Sequence, residues 1–359
     1  MNLSKTLFAP ALLKASLLSI GLLAASNAFA DAGKAYVSNQ DGGVTVIDLA
    51  TMETTGTLDI QAKGPRGIGI TADGKWLVTA NKDDNNISII DTATGALLKQ
   101  VEIGKNPEFV RVRGYIAYVT YEPSPTTGGA PKPAEPAVKE DDDNEKLPGH
   151  IAIVDLKKGK VIKDIVGKPE TEGLEFSKDG KKLVVTNESD DSITVHDLKT
   201  GKLLKNVPIG DFGKRPRGIK VSPDGKSYIS TLEFSDELLI LDSKFKPIKT
   251  IATGKSPYGV SYDRAGKRIF VASSKEKALQ VYDAKTFEKI KDIQTGDRCW
   301  HFSFTPDDKN ILLACGRSSE IVVIDAESLE VTKRIENKEL PWGVVTFPKS
   351  MGSLDTKLK

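Results

Sequence analysis

Three histidines (His150, His196, His301) and two cysteines (Cys299, Cys315) are the whole supply of imidazole and thiol in this 359-residue sequence. Isolated histidines make neither a zinc site nor a nucleophile–base triad. There is no c-type haem attachment motif and no glycine-rich phosphate loop. No catalytic residue and no metal ligand is therefore assigned. The chemistry on offer is recognition. Seven residues recur one position into a Pro-x-Gly-like motif: Arg66, Glu108, Glu172, Arg217, Tyr258, Trp300 and Trp342, with His301 beside Trp300. Packing alone would accept small or aliphatic residues there. Aromatic faces and guanidinium forks suit a planar anionic ligand. They suit a protein hot spot equally well. The arginines and glutamates could also neutralise one another around a water-filled channel.

What positions these residues is an internal repeat. An apolar strand ending in Asp recurs at Asp48, Asp91, Asp155, Asp197, Asp242, Asp283 and Asp325, with spacings of 43, 64, 42, 45, 41 and 42. Each unit has the same order. An alternating strand opens it, as in Pro216–Val221. A Ser-Pro-Asp-Gly-Lys type turn follows, with hairpin chemistry. A second strand, a third strand carrying the Asp, and a more polar fourth strand complete the unit. Four short strands in about 40–45 residues is the period of a propeller blade. The pattern predicts an all-β, seven-bladed β-propeller. The repeats begin in a second strand at Lys34–Asn39 and finish with a lone first strand at Pro341–Phe347. Pairing these two closes the ring three plus one and removes the open sheet edges. Of the other histidines, His196 replaces an aliphatic core residue of other repeats, and His150 sits at the edge of an insertion.

That insertion accounts for the spacing of 64. Residues 122–149 are Pro-rich and then acidic, and read as an extended loop between the second and third strands of the third blade. It emerges on the face where every first strand begins. A solvated loop, a docking arm over the central opening and, more weakly, a calcium site are the readings it allows. Cys299 opens the first strand of its blade and Cys315 ends the second. The turn between them centres on Asp307, so the two face each other across a hairpin, within disulfide reach. A structural disulfide is the leading reading, and a free redox or metal-binding thiol pair the alternative.

The first thirty residues read as a cleaved export signal: Lys5 and Lys14, an apolar run over 15–25, then Ala28-Phe29-Ala30. The run is short of the ~20 residues of a spanning helix. No membrane insertion is expected after cleavage, and the compartment expected is the periplasm, which permits disulfides. The expected domains are the signal over 1–30, the propeller over 31–348 and a C-terminal tail over 349–359. Without its signal the chain carries 51 − 2 = 49 basic residues against 49 acidic ones. A balanced charge supplies no positive field for phosphate, which excludes a nucleic-acid partner.

Val78-Thr79-Ala80-Asn81, Val119-Thr120-Tyr121 and Val185-Thr186-Asn187 resemble the Tyr-Val-Thr-Asn core of the YVTN-repeat propellers. The Ser-Pro-Asp-Gly-Lys turn and the Val-Ile-Asp run are also typical of that family. The last stretch, with Trp300, Pro306-Asp307 and Leu340–Val345, looks most like propellers found beside pyrroloquinoline-quinone-dependent catabolic enzymes. The wider group is similar to the haem-d propeller of cytochrome-type nitrite reductases, whose haem ligation would need histidines on the central face. Propellers host many functions, so the resemblance implies a fold more than an activity. Two functions are expected from these readings. One is a monomeric, non-enzymatic binding or scaffold protein, engaging a protein partner or small ligand by the central face, with no cofactor. The other is a redox accessory that holds pyrroloquinoline quinone or a similar planar anion among Trp300, Trp342 and the arginines.

Overall fold

The structure is a computed structural model that describes Met1 and residues 33–122 and 147–355. The signal expected over 1–30 and nearly all of the insertion expected over 122–149 lie outside the described residues. Among the described residues, twenty-eight strands, β1 to β28 in chain order, form seven four-stranded antiparallel sheets. The innermost strand of each blade is β28 (Pro341–Phe347), β4 (Pro65–Ile70), β8 (Val110–Arg113), β12 (Thr171–Phe176), β16 (Pro216–Val221), β20 (Pro257–Tyr262) or β24 (Cys299–Phe304). Neighbouring inner strands lie side by side around a central axis. The seven-bladed β-propeller read from the repeat is what forms.

Closure follows the expected scheme. β28 pairs antiparallel with β1 (Lys34–Asn39), giving the order β28-β1-β2-β3, where β2 is Val44–Asp48 and β3 is Glu53–Leu58. The seam is packed like an interior. Ala35, Val37 and Ile47 of the first blade interdigitate with Leu312, Ala314, Ile321 and Val323 of the seventh. Truncating one such buried aliphatic costs about 2–5 kcal/mol.

Each recurring Asp ends a third strand and caps the turn after it. Asp91 Oδ1 accepts the backbone N–H groups of Ala93 and Thr94 at 3.0 and 2.8 Å, and Asp325 those of Glu327 and Ser328 at 3.1 and 2.7 Å. This Asx capping is why Asp, rather than any polar residue, recurs there.

The outer strands carry a second regularity. Lys99, Lys205 and Lys333 each reach the turn of the following blade, donating to the carbonyls of Lys158, Lys244 and Thr51 at 3.3, 2.7 and 3.2 Å. Lys163 donates likewise to Lys199 and Lys291 to Ser328, while Lys249 lies over the Phe287 ring. At the remaining junction, between the first and second blades, Leu58 packs towards Gly95 instead.

No helix among the described residues is long and apolar enough to cross a membrane. Cys299 and Cys315 are joined by a disulfide, with a Cα–Cα distance of 3.8 Å, at the register position where the strands carrying them pair.

Candidate functional site: the upper mouth of the central channel

The inner strands begin on one face, called here the upper face, and the residue before each Pro-x-Gly-like motif holds a left-handed backbone: Gly64, Asn106, Glu170, Arg215, Ser256, Arg298 and Leu340, with φ between 49° and 65°. Six of the seven are not glycine, and such residues cost of order 1–3 kcal/mol each. The kink is followed by a register shift across the next residues of the strand, as between Pro65 and Ile68 or Pro216 and Ile219. The second residue thereby leaves the ladder and turns to the axis. The third is usually Gly because the next inner strand runs against it. A Cβ on Gly67 would stand 2.5 Å from the Glu108 carbonyl oxygen, and one on Gly218 2.6 Å from that of Tyr258. Phe109 and His301 occupy this third position in their blades.

The charged residues of the predicted ring meet one another. Arg66 bonds Glu108 through Nη1 at 2.6 Å and Gln40 through Nε at 2.9 Å. Arg217 pairs with Glu172 at 3.4 Å, with Glu233 at 2.7 Å and with Glu188. Its guanidinium lies 4.7 Å over the Tyr258 ring, whose hydroxyl donates to Glu172 at 2.9 Å. Arg215 bridges Glu170, Glu188 and Glu233 at 3.0, 2.7 and 3.3 Å. The guanidinium forks are thus occupied by carboxylates. Burial resists ionisation of Glu108, but the adjoining Arg66 charge and hydrogen bond hold its carboxyl below the usual range. Burial, then the Glu108 charge, pushes Glu172 up.

The aromatic residues fill the channel beneath. His301 lies tilted against Trp342, with ring centroids 4.2 Å apart, and meets Tyr258 and Phe109 edge-on at 5.3 and 5.8 Å. Its Nδ1 is 2.9 Å from Ser353 Oγ, and burial followed by the Arg111 charge drives its pKa well down, so the ring is neutral. Trp300 is buried in one cluster with Tyr258 and Trp342. Its indole covers Gly316, where any side chain would collide with it. One layer lower, Arg111 and Lys220 flank Glu175 at 3.7 and 3.5 Å, all three buried.

The tail expected over 349–359 is described to Asp355 and occupies the lower channel. Gly352 bridges Ser303 of β24, and Phe304 N–H donates to the Met351 carbonyl at 2.8 Å. Arg111 Nη2 reaches the Ser353 carbonyl at 3.3 Å. A Cβ on Gly352 would stand 2.6 Å from Ser303 Cα, so glycine is what admits this approach. Leu354 is fully buried, and burial raises the pKa of Asp355.

A second ring escaped the sequence reading. The residue after each second strand is Gln40, Lys82, Glu122, Glu188, Glu233, Ser274 or Gly316, and several of these supply partners to the first ring. Aligning that position as the Pro-x-Gly position was aligned would have shown it. The two rings and the kinked residues enclose a cavity of ≈ 20 Å³, room for one water-sized group. Burial and then the charge of Glu170, Glu108 and Glu172 push the Glu122 carboxyl up to about 9, against a backbone N–H bond from Glu170. On the rim, Phe234 is 66% exposed and lies 4.9 Å under the Arg215 guanidinium. His196 is buried in its blade, 3.4 Å from the Gly201 carbonyl. His150 pairs with Asp164 at 2.6 Å and stacks on Tyr121, away from the mouth cavity. Among the described residues no cluster of three or more His, Cys, Asp or Glu is arranged to hold a metal.

No protein-family model matches this sequence, and no curated protein is similar to it in sequence. Solved structures do match in shape. Hydrazine synthase of Kuenenia stuttgartiensis is 18% identical, with 83% of this chain and 93% of that chain covered and a TM-score of 0.70. The periplasmic gluconolactonase PpgL of Pseudomonas aeruginosa is 16% identical over 88% and 98% of the two chains, with a TM-score of 0.68. Dihydro-heme d1 dehydrogenase NirN, in complex with DHE, is 18% identical over 88% and 75%, with a TM-score of 0.63. At these identities the likeness is one of fold.

Proposed function

We propose that this chain is an exported, YVTN-type propeller that works in the periplasm as a non-enzymatic binding protein, docking its partner on the upper face. The observation that carries the reading is the mouth itself. Its arginines are neutralised by carboxylates, and its cavity admits one small group. Beside it stands an exposed aromatic residue, Phe234, braced by Arg215. That combination offers recognition groups in a rigid frame, as protein hot spots do. Thr171, the one hydroxyl residue on the cavity wall, bonds the Lys168 carbonyl at 2.7 Å rather than a base. The export signal expected over 1–30 and the periplasmic location named for PpgL support the compartment. The resemblance to propellers that accompany quinone-dependent enzymes makes a periplasmic dehydrogenase the class of partner.

The test is a photo-crosslinker placed at Phe234, and at Leu204 on the outer edge as a control, in cells of the native host. A partner adduct from position 234 and none from 204 is the expected result. Equal labelling, or none from 234, overturns the docking face. An absorbance spectrum of the same protein reads the other possibility. A visible chromophore would replace this reading with that of a cofactor-holding redox accessory.

A further inference from the structure

The charges around the mouth cavity leave a remainder. Its wall holds five carboxylates and four cations. Arg66, Arg215 and Arg217 take up Glu108, Glu170, Glu172 and Glu188, and Glu233 joins them from outside the wall. Glu122 is left with no cation. Its Oε2 accepts the Glu170 N–H at 3.0 Å, and its Oε1 is buried with no partner. Asn106, on the same wall, is only 9% exposed, and both atoms of its amide lack partners. The backbone brings the two residues together. In other blades the second-ring N–H bonds the carbonyl of the kinked residue, as Glu188 does to Glu170. Glu122 bonds Lys105 instead, at 2.8 Å, one residue before Asn106. Buried polar atoms without partners are expensive, so two such side chains facing one small cavity mark a place built for a hydrogen-bonding guest.

We propose that this cavity receives a primary ammonium head, from a small amine or from a lysine side chain of a protein partner, with Glu122 Oε1 and Asn106 Oδ1 as its acceptors. The inference rests on the upper face being the binding face and names what that face recognises. Size selects the head. The cavity has room for one water-sized group, which suits a compact ammonium better than a broad, planar guanidinium. Charge selects the sign through Glu122: protonated, it leaves four wall carboxylates against four cations, and its anion can form only beside an incoming cation.

Binding is an exchange. Before the guest arrives, Glu122 carries a proton, because burial and the charges of Glu170, Glu108 and Glu172 disfavour its anion. Arg66, Lys82, Glu188, Arg215 and Arg217 complete the charged groups of the wall. The ammonium donates to Glu122, the carboxyl proton leaves to solvent, and the net charge of the cavity is unchanged. Affinity therefore rises with pH below about 9, by up to about tenfold per unit.

The experiment is calorimetric titration of the mature protein at pH 6, 7 and 8, in buffers of different ionisation heat. The probes are methylammonium chloride and end-blocked Gly-Lys-Gly, with end-blocked Gly-Arg-Gly as the size control. Expected is binding of at least one ammonium probe, close to one proton released at pH 7, and no binding of the arginine peptide. Binding of methylammonium identifies a small amine as sufficient, and binding of the lysine peptide alone identifies a protein lysine. Glu122→Gln should abolish proton release and weaken binding at pH 8 at least tenfold. Asn106→Gly, which keeps the left-handed backbone, should weaken binding with the proton count unchanged. Binding of neither ammonium probe, binding without proton release, or equal binding of the arginine peptide overturns the inference. Any of these alongside a crosslink from position 234 would leave the docking face standing.

Discussion

At the scale of the residue, the mouth is an electrostatic compromise whose terms can be separated. Arg217 faces three carboxylates, and removing it as Arg217→Met would leave Glu172 without its ion-pair partner and Glu188 and Glu233 with Arg215 alone, in a buried site. A loss of about 3–5 kcal/mol is expected, measured by denaturant unfolding at pH 7. The loss should shrink at pH 5, where protonation relieves the same carboxylates. Glu122 works in the opposite sense to a paired carboxylate. Its folded pKa, about 9, lies above the unfolded value, so its contribution is fully present below about pH 4.3 and is lost as pH rises through 9. Glu122→Gln should therefore match the parent protein near pH 4 and exceed it at pH 8, by roughly 2–4 kcal/mol. Unfolding curves of the two proteins that stay parallel across this range would contradict the assignment. The first ring was legible in the sequence because the Pro-x-Gly motif marks it. The second was not, because no Pro-x-Gly-like motif marks it and its seven positions, from Gln40 and Lys82 through three glutamates to Ser274 and Gly316, are of mixed type.

At the scale of the element, the repeat showed nearly everything that local chemistry controls. Asp caps, turn glycines and strand alternation are each dictated within a few residues, and all seven units were readable from them. The disulfide was readable for the same reason, since hairpin register fixes which residues oppose each other. Replacing Cys299 and Cys315 together by Ala should cost about 2–3 kcal/mol, for a bond spanning a sequence separation of 16. Alkylation without reductant, followed by peptide mass analysis, should recover the linked pair and no alkylated thiol. Trp300 shows the limit of local reasoning. Its motif marks it for the ring, but that its indole lies over Gly316, sixteen residues on, is set by packing that no motif shows. The fate of 349–355 was hidden for a similar reason. No repeat predicts it, and its partners Arg111, His301 and Ser303 come from distant blades.

At the scale of the whole molecule, the ring is held by closure and by its plug. Removing 349–359 would strip Leu354 and Met351 from the channel and leave the Arg111, Glu175 and Lys220 layer open to water. A destabilisation of roughly 3–6 kcal/mol is expected from two buried side chains, with the seven blades still formed. Circular dichroism should show native sheet content and a lower Tm. Removing 341–359 as well takes away β28, exposes the edge of β1, and should abolish cooperative unfolding. The same closure has a consequence in time. β1 leaves the ribosome early, and its partner in the first blade arrives some three hundred residues later. Throughout that interval the first sheet displays a raw edge that no other part of the chain can cover. A truncated chain is thereby distinguished from a finished one by its surface, since the ring can close only once β28 has been made.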